Sequence, residues 1–164
     1  MAGNSLPVAT EGSKQLAFRR AAAQKKLNWM QYFLDHQVDI NGQDIEGDTL
    51  LHYRAAYQDL EVVQFLIGKG AEVNIQNRQG KTPLYIAATS PYSSAAMVDL
   101  LLKHGANPTL VNKQGRTPLQ GAKNCFHEPI VQLLTRGPTV VKFSEAEKIP
   151  TLPQAQRDVP VLTL

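Results

Sequence analysis

The chain has 164 residues, of which 43% are hydrophobic and 19% charged, and it carries a net charge of +3. That length suits one domain with tails, and the balance excludes a chain disordered throughout, a fibrous protein, and a nucleic-acid binder driven by bulk charge. Its apolar runs fall short of the roughly 18 residues that span a bilayer, residues 1–12 lack the basic start and apolar core of a secretory signal, and the single Cys125 excludes an internal disulfide or a cysteine-built metal site.

Residues 1–13, with Gly3, Asn4, Ser5, Pro7, Gly12 and Ser13, show neither helical nor strand periodicity and are predicted to be a flexible leader. In residues 14–43, Leu27, Met30, Phe33 and Leu34 recur at the spacing of a helix's apolar face. Arg19, Arg20, Gln24, Lys25 and Lys26 are expected to give that segment the polar exterior of an end unit.

A spelling then recurs three times. Gly47, Gly80 and Gly115 each sit in a polar turn that runs into Thr49-Leu50-Leu51, Thr82-Pro83-Leu84 or Thr117-Pro118-Leu119. Thr82 follows Thr49 by 33 residues and Thr117 follows Thr82 by 35, a period that marks stacked repeats. In the unit 44–76, Thr49 is the expected cap of a first helix, a second helix is predicted over 60–69, and Gly70 is placed to end it in the left-handed conformation.

The unit 77–111 adds Pro83 at the first helical position and two extra residues within 89–94, which lengthen the loop between its helices. The unit 112–138 keeps Thr117-Pro118-Leu119 and Ile130-Val131-Gln132-Leu133-Leu134 and then stops short, as an end cap would. Residues 139–164, with Pro150, Pro153 and Pro160, are expected to be extended or disordered, Val140-Val141-Lys142-Phe143 being the stretch able to dock on the last unit or to act as a linear motif.

The stretch Asn77-Arg78-Gln79-Gly80-Lys81-Thr82-Pro83-Leu84-Tyr85-Ile86-Ala87-Ala88 resembles the ankyrin repeat, whose signature is T-P-L-H-x-A. The resemblance covers residues 14–138: a degenerate capping repeat at 14–43, repeats at 44–76 and 77–111, and a truncated capping repeat at 112–138. It implies an all-α fold, an ankyrin-repeat solenoid of stacked helix-turn-helix hairpins with projecting β-turn fingers. Where the family has a small residue wedged between hairpins, Ala21, Ala87 and Ala122 comply and Arg54 does not; that guanidinium must find a carboxylate or snorkel to solvent at the groove's edge. His52 keeps the family's histidine, which bonds neighbouring turns, while Tyr85 and Gln120 replace it.

In ankyrin proteins the fingers and first helices line a concave groove where partners are read, and the resemblance carries that footprint onto this chain. It comprises Ile45, Glu46, Asp48, Tyr53, Ala56 and Tyr57 in the first full repeat. In the second it takes in Arg78, Gln79, Lys81, Ile86, Thr89 and Ser90, and in the third Lys113, Gln114, Arg116, Asn124 and Cys125. The finger charges run from acidic, at Asp44, Glu46 and Asp48, to basic, at Arg78, Lys81, Lys113 and Arg116, and Tyr53 and Tyr57 are the expected aromatic anchors.

No catalytic set assembles from the sequence. Cys125 and His127 stand two apart in a short loop, the four histidines fall in different repeats without metal-ligand spacing, and the glycines form no phosphate cradle. No enzyme, cofactor or metal is therefore expected. The expected role is a non-enzymatic protein-interaction module, an adaptor or regulator, cytoplasmic and monomeric. The alternative is anionic-ligand binding, of nucleic acid or anionic lipid, through the basic fingers. Short ankyrin proteins also include bacterial proteins delivered into host cells, and Glu145, Glu147 and Val161-Leu162-Thr163-Leu164 are compatible with a carboxyl-terminal export signal or with capture of Leu164 by a partner domain.

Overall fold

Three threonines start three helices. Thr49, Thr82 and Thr117 lie in extended backbone, and their hydroxyls accept from the N–H groups of His52, Tyr85 and Gln120, satisfying donors that a helix start leaves unpaired. The computed structural model of the chain describes residues 11–136. Its helices are α1 (Glu11–Ala23), α2 (Leu27–Asp35), α3 (Leu50–Ala56), α4 (Leu60–Gly68), α5 (Pro83–Thr89), α6 (Ala95–Lys103), α7 (Pro118–Asn124) and α8 (Glu128–Arg136), and the described residues contain no strand. They pair as four antiparallel hairpins stacked in chain order, an all-α ankyrin solenoid.

The apolar pattern explains the stacking. Phe18, Ala22, Met30, Leu51, Ala55, Val63, Leu84, Ala88 and Val98 are buried on the faces that meet the next hairpin, in a continuous core that no single hairpin could form. A buried leucine of this kind contributes roughly 2 kcal/mol, so a two-helix unit left with one face in water would not hold its shape.

The fingers form by repeated side-chain chemistry. Asp44, Asn77 and Asn112 each turn one oxygen onto the N–H groups two and four residues on, at 2.9 to 3.0 Å. Successive fingers are then joined: Arg78 N–H donates to the Glu46 carbonyl and Lys113 N–H to that of Gln79, both at 2.9 Å. Gly47 and Gly80 allow that approach, since they take φ of +77° and +73° and a Cβ on either would lie under 3 Å from the next finger's backbone nitrogen.

At one register position a long donor ties each of the first two hairpins to the following finger. Buried His52 accepts the Thr49 N–H on Nδ1, which fixes the neutral tautomer, and donates from Nε2 to the Lys81 carbonyl at 3.1 Å. Arg19 occupies the same position one repeat earlier and reaches the Asp48 carbonyl at 3.3 Å, the Gly42 carbonyl at 3.1 Å and the Asp44 carboxylate at 3.4 Å.

Three expectations change, and one alternative is decided. Helix α1 begins at Glu11, so residues 11–13 are helical and not leader; the flanking residues make a regular turn there despite Gly12 and Ser13. Arg19 faces inward, because the Asp44 carboxylate and the Gly42 and Asp48 carbonyls offer it more than water does, and the exterior of the first hairpin shows half-exposed Trp29 and Tyr32 beside its basic residues. Helix α4 ends at Gly68 with Lys69 capping it, one residue short of the predicted end. Of the two outcomes open to Arg54, the structure takes the carboxylate over the groove's edge: it is paired with Asp59 at 3.0 Å. The expectations for residues 1–10, for Val140–Phe143 and for the rest of 139–164 lie outside the described residues.

Two outcomes follow from these contacts. Gln37 takes φ of +65° at the helix end where the next two repeats use Gly70 and Gly105, so Gln37→Gly is expected to stabilise the chain by about 1 kcal/mol in denaturant titrations. Burial, only partly offset by the Lys81 carbonyl and by Asp48 and Asp44, holds His52 below its ordinary pKa of 6.5. The unfolded chain therefore binds the proton first, so stability is full above 6.5 and declines as pH falls below it. Thermal melts are expected to show a lower midpoint at about pH 5.5 than at about pH 7.5, with a smaller difference in His52→Gln.

Candidate functional site in the groove between the fingers

The first two full fingers and the helices behind them enclose a groove of about 310 Å³. Glu46 and Asp48 come from one finger and Asn77, Gln79 and Lys81 from the next, while Ala56 of α3 and Ile86 and Thr89 of α5 form its apolar floor. Ser90 and Pro91 close one side. They belong to the α5–α6 loop, which holds residues 90–94 where the α3–α4 loop holds only 57–59.

The lengthened loop is held in place. Ser90 Oγ donates to the Ala56 carbonyl at 2.9 Å, Ser93 Oγ to that of Ala87 at 2.8 Å, and Gln58 Oε1 accepts from both the N–H and the hydroxyl of Ser94. Ser90 and Ser94 are thus bonded to the preceding repeat and Ser93 to the helix before it, which sets the groove's width before any ligand arrives.

Of the residues carried over from the family footprint, Glu46, Asp48, Gln79, Lys81 and Ile86 meet in this groove, together with Ala56, Thr89 and Ser90. Ile45, Arg78, Lys113, Gln114 and Arg116 project into solvent along the finger tips. Tyr57 is 61% exposed at the end of α3, its ring 5.2 Å from the Arg54 guanidinium carbon. Tyr53 is partly buried. Its hydroxyl donates to Asp44 Oδ2 at 2.6 Å and its ring lies beneath Arg19, and that hydrogen bond, with burial and the negative charge of Asp44, pushes its pKa up to about 12.

Asp44 is therefore committed inside the fold. Burial would raise its pKa, but the Tyr53 hydroxyl, the Asp48 and Glu46 N–H groups and Arg19 outweigh that and lower it. Asp48 accepts from Asn77 Nδ2 at 2.8 Å. The acidic end of the expected charge gradient thus reduces to exposed Glu46, with Asp48 shared between groove and scaffold. Lys81 supplies the opposite charge, its amine 6.0 Å from the Tyr85 ring centroid. Asn77 and Pro91 were not expected in the lining. The first reads as a pure turn former, and the second had a signal in the two-residue offset.

The groove holds no nucleophile set against a base. Cys125 is exposed with its thiol 3.8 Å from the Thr89 carbonyl, and His127 turns to the Ala88 carbonyl at 3.0 Å, so both bond the preceding repeat instead of each other. The described residues contain no cluster of three or more metal-ligating side chains, and none of their helices is long and apolar enough to cross a membrane. Chemically, the groove suits an occupant with an apolar side chain over Ile86 and Ala56, and with groups of both signs for Lys81 and Glu46.

Beside the groove, Asp59 accepts from Arg54 at 3.0 Å and pairs with Lys25 at 3.1 Å, so it stitches two hairpins where other repeats need only an alanine. Asp59→Ala is expected to cost about 3 kcal/mol, because it strands a buried guanidinium whose Nε already lacks a partner. Arg54→Ala in the same chain is expected to recover most of that loss, as read by a double-mutant cycle in urea.

A family profile described as ankyrin repeats in three copies matches residues 9–77 and 53–143. An ankyrin repeat protein of Rickettsia felis is 42% identical over 67 residues, 37% of this chain and 29% of that protein. The Notch-regulated ankyrin repeat-containing protein of Homo sapiens is 32% identical over 74 residues, 45% of this chain and 65% of that one. A homolog of transient receptor potential cation channel subfamily A member 1 from Caenorhabditis elegans is 43% identical over 53 residues, 32% of this chain and 4% of the channel. The chain spans less than two thirds of the length of each of these relatives. With the profile covering well over half of the sequence and the hairpins stacked as described, the chain belongs to the ankyrin-repeat family.

Proposed function

We propose that the chain is a non-catalytic adaptor or regulator that seats a segment of a partner protein in the groove between its first two full fingers. Ankyrin repeats generally mediate protein–protein interaction, and the family is typically non-enzymatic. The observation that carries the reading is the groove itself, with an apolar floor at Ile86 and Ala56 between a carboxylate wall at Glu46 and Asp48 and the cation of Lys81. Such a site favours a partner of mixed charge with one apolar anchor.

The basic finger tips support a second reading. Arg78, Lys113 and Arg116 are exposed and form no ion pair among the described residues, so they are open to a phosphate-bearing ligand. Against it, the groove beside them carries two carboxylates, which would repel a polyanion.

Photo-crosslinking from Gln79 in the native cell identifies the occupant, and purified occupant is then titrated against variants. The pair Lys81→Glu with Ile86→Glu is expected to weaken it about tenfold or more, roughly 1.4 kcal/mol, with the helical circular dichroism signal unchanged. Undiminished affinity in that variant contradicts the reading. Steeply salt-dependent binding lost in Lys113→Glu with Arg116→Glu would place recognition on the finger tips instead.

A further inference from the structure

The repeats report which side of each hairpin faces which neighbour. Val62, Met97 and Ile130 share one register position on the second helices of their repeats, and they are 0%, 0% and 2% exposed because the preceding hairpin covers them. Trp29 holds that position in the first hairpin, with 55% exposure. Phe33 likewise aligns with buried Leu66, Leu101 and Leu134 and is only partly covered.

The opposite end of the stack is built differently. The position held by buried Ala22, Ala55 and Ala88 becomes exposed Lys123 in the last repeat, and that of Leu34, Ile67 and Leu102 becomes exposed Thr135. Polar substitution closes the α8 end to stacking. The α1–α2 end keeps large apolar side chains where stacking needs them.

That face is shaped as well as apolar. Trp29, Tyr32 and Phe33 form a rigid aromatic group on α2, with ring centroids 5.6 to 6.5 Å apart. Between α1 and α2 runs a cleft of about 200 Å³ with Ala17, Ala21, Trp29 and Phe33 in its walls and Arg20 and Lys26 among the residues lining it. Arg20 and Lys26 form no ion pair among the described residues; Lys25 is taken by Asp59, and Glu61 lines an adjoining cleft with Lys26 and Trp29 but not this one.

The interior shows what such a cleft receives. Phe18 with Ala22, Leu51 with Ala55, and Leu84 with Ala88 are helical pairs four residues apart, each buried toward the next hairpin. Charge decides among occupants: a second copy meeting face to face would bring Arg20 and Lys26 of one chain against those of the other, which is unfavourable. We propose that the α1–α2 end face docks an acidic amphipathic helix of a partner protein, which stacks where a preceding hairpin would and presents a large and a small apolar residue four apart, flanked by carboxylates. This face is separate from the finger groove.

Trp29 is the only tryptophan in the sequence, so its emission reads the face directly. The probe is a stapled helical peptide with Leu and Ala four apart and flanking Glu, added to the full chain; its control carries Lys for Glu. The Glu peptide is expected to shift Trp29 emission to the blue and shield it from acrylamide, in Ile86→Glu as in the parent chain. Arg20→Glu with Lys26→Glu, checked for fold by circular dichroism, is expected to bind the Glu peptide roughly tenfold more weakly and to gain affinity for the Lys peptide. No spectral response, or equal responses to both peptides, overturns the proposal. So does emission already shielded in the dilute free monomer, which would mean the chain covers its own face. A blue shift that tracks a doubling of mass assigns the face to a second copy, and one produced only by phosphatidylserine vesicles assigns it to a membrane; either also overturns the proposal.

Discussion

Every hairpin in this chain needs a neighbour, because two short helices bury an apolar face only against another pair. Helices α3 and α5, and likewise α5 and α7, approach closely along their lengths, with Ala87 and Ala122 between them. The finger ladder adds a polar version of the same dependence, in which Arg78 and Lys113 N–H groups bond the preceding finger and His52 and Arg19 bond the following one. Stability thus resides between repeats more than within them.

The candidate surfaces are consequences of local departures from that regular stack. A two-residue insertion turns the α5–α6 loop into the wall of the finger groove, and Ser90 and Ser94 bond the preceding repeat so that the wall is fixed. Arg54 replaces a small residue at a hairpin junction and is accommodated by Asp59, which Lys25 also holds. The first hairpin carries Trp29, 55% exposed, where its successors carry residues that a neighbour covers.

Much of the architecture was legible from spelling alone. Thr49, Thr82 and Thr117 marked the helix starts, the glycines marked the fingers, and the offset between Thr82 and Thr117 located the long loop. Most of the groove lining falls at footprint positions of the family, Glu46, Asp48, Ala56, Gln79, Lys81, Ile86, Thr89 and Ser90, with Asn77 and Pro91 outside them. What escaped was pairwise. Nothing local in the sequence says that Asp44 is consumed by Tyr53 and Arg19, or that Asp59 neutralises Arg54, since each partner lies in a loop or neighbouring repeat. The open face escaped for another reason: the basic residues around Trp29 read as a polar cap until the register of the later repeats showed what that position normally buries.

The central claim is that fingers and hairpins form one stack, which sets the groove before a partner arrives. Amide hydrogen exchange of the free chain tests it most directly, at Arg78 and Lys113, whose N–H groups join successive fingers, against the mid-helix amides of Leu66 and Leu101. The account predicts that the finger amides share the protection of the helix amides and lose it together as denaturant is added. Finger amides that exchange as freely as an unstructured loop, while Leu66 and Leu101 stay protected, would contradict it.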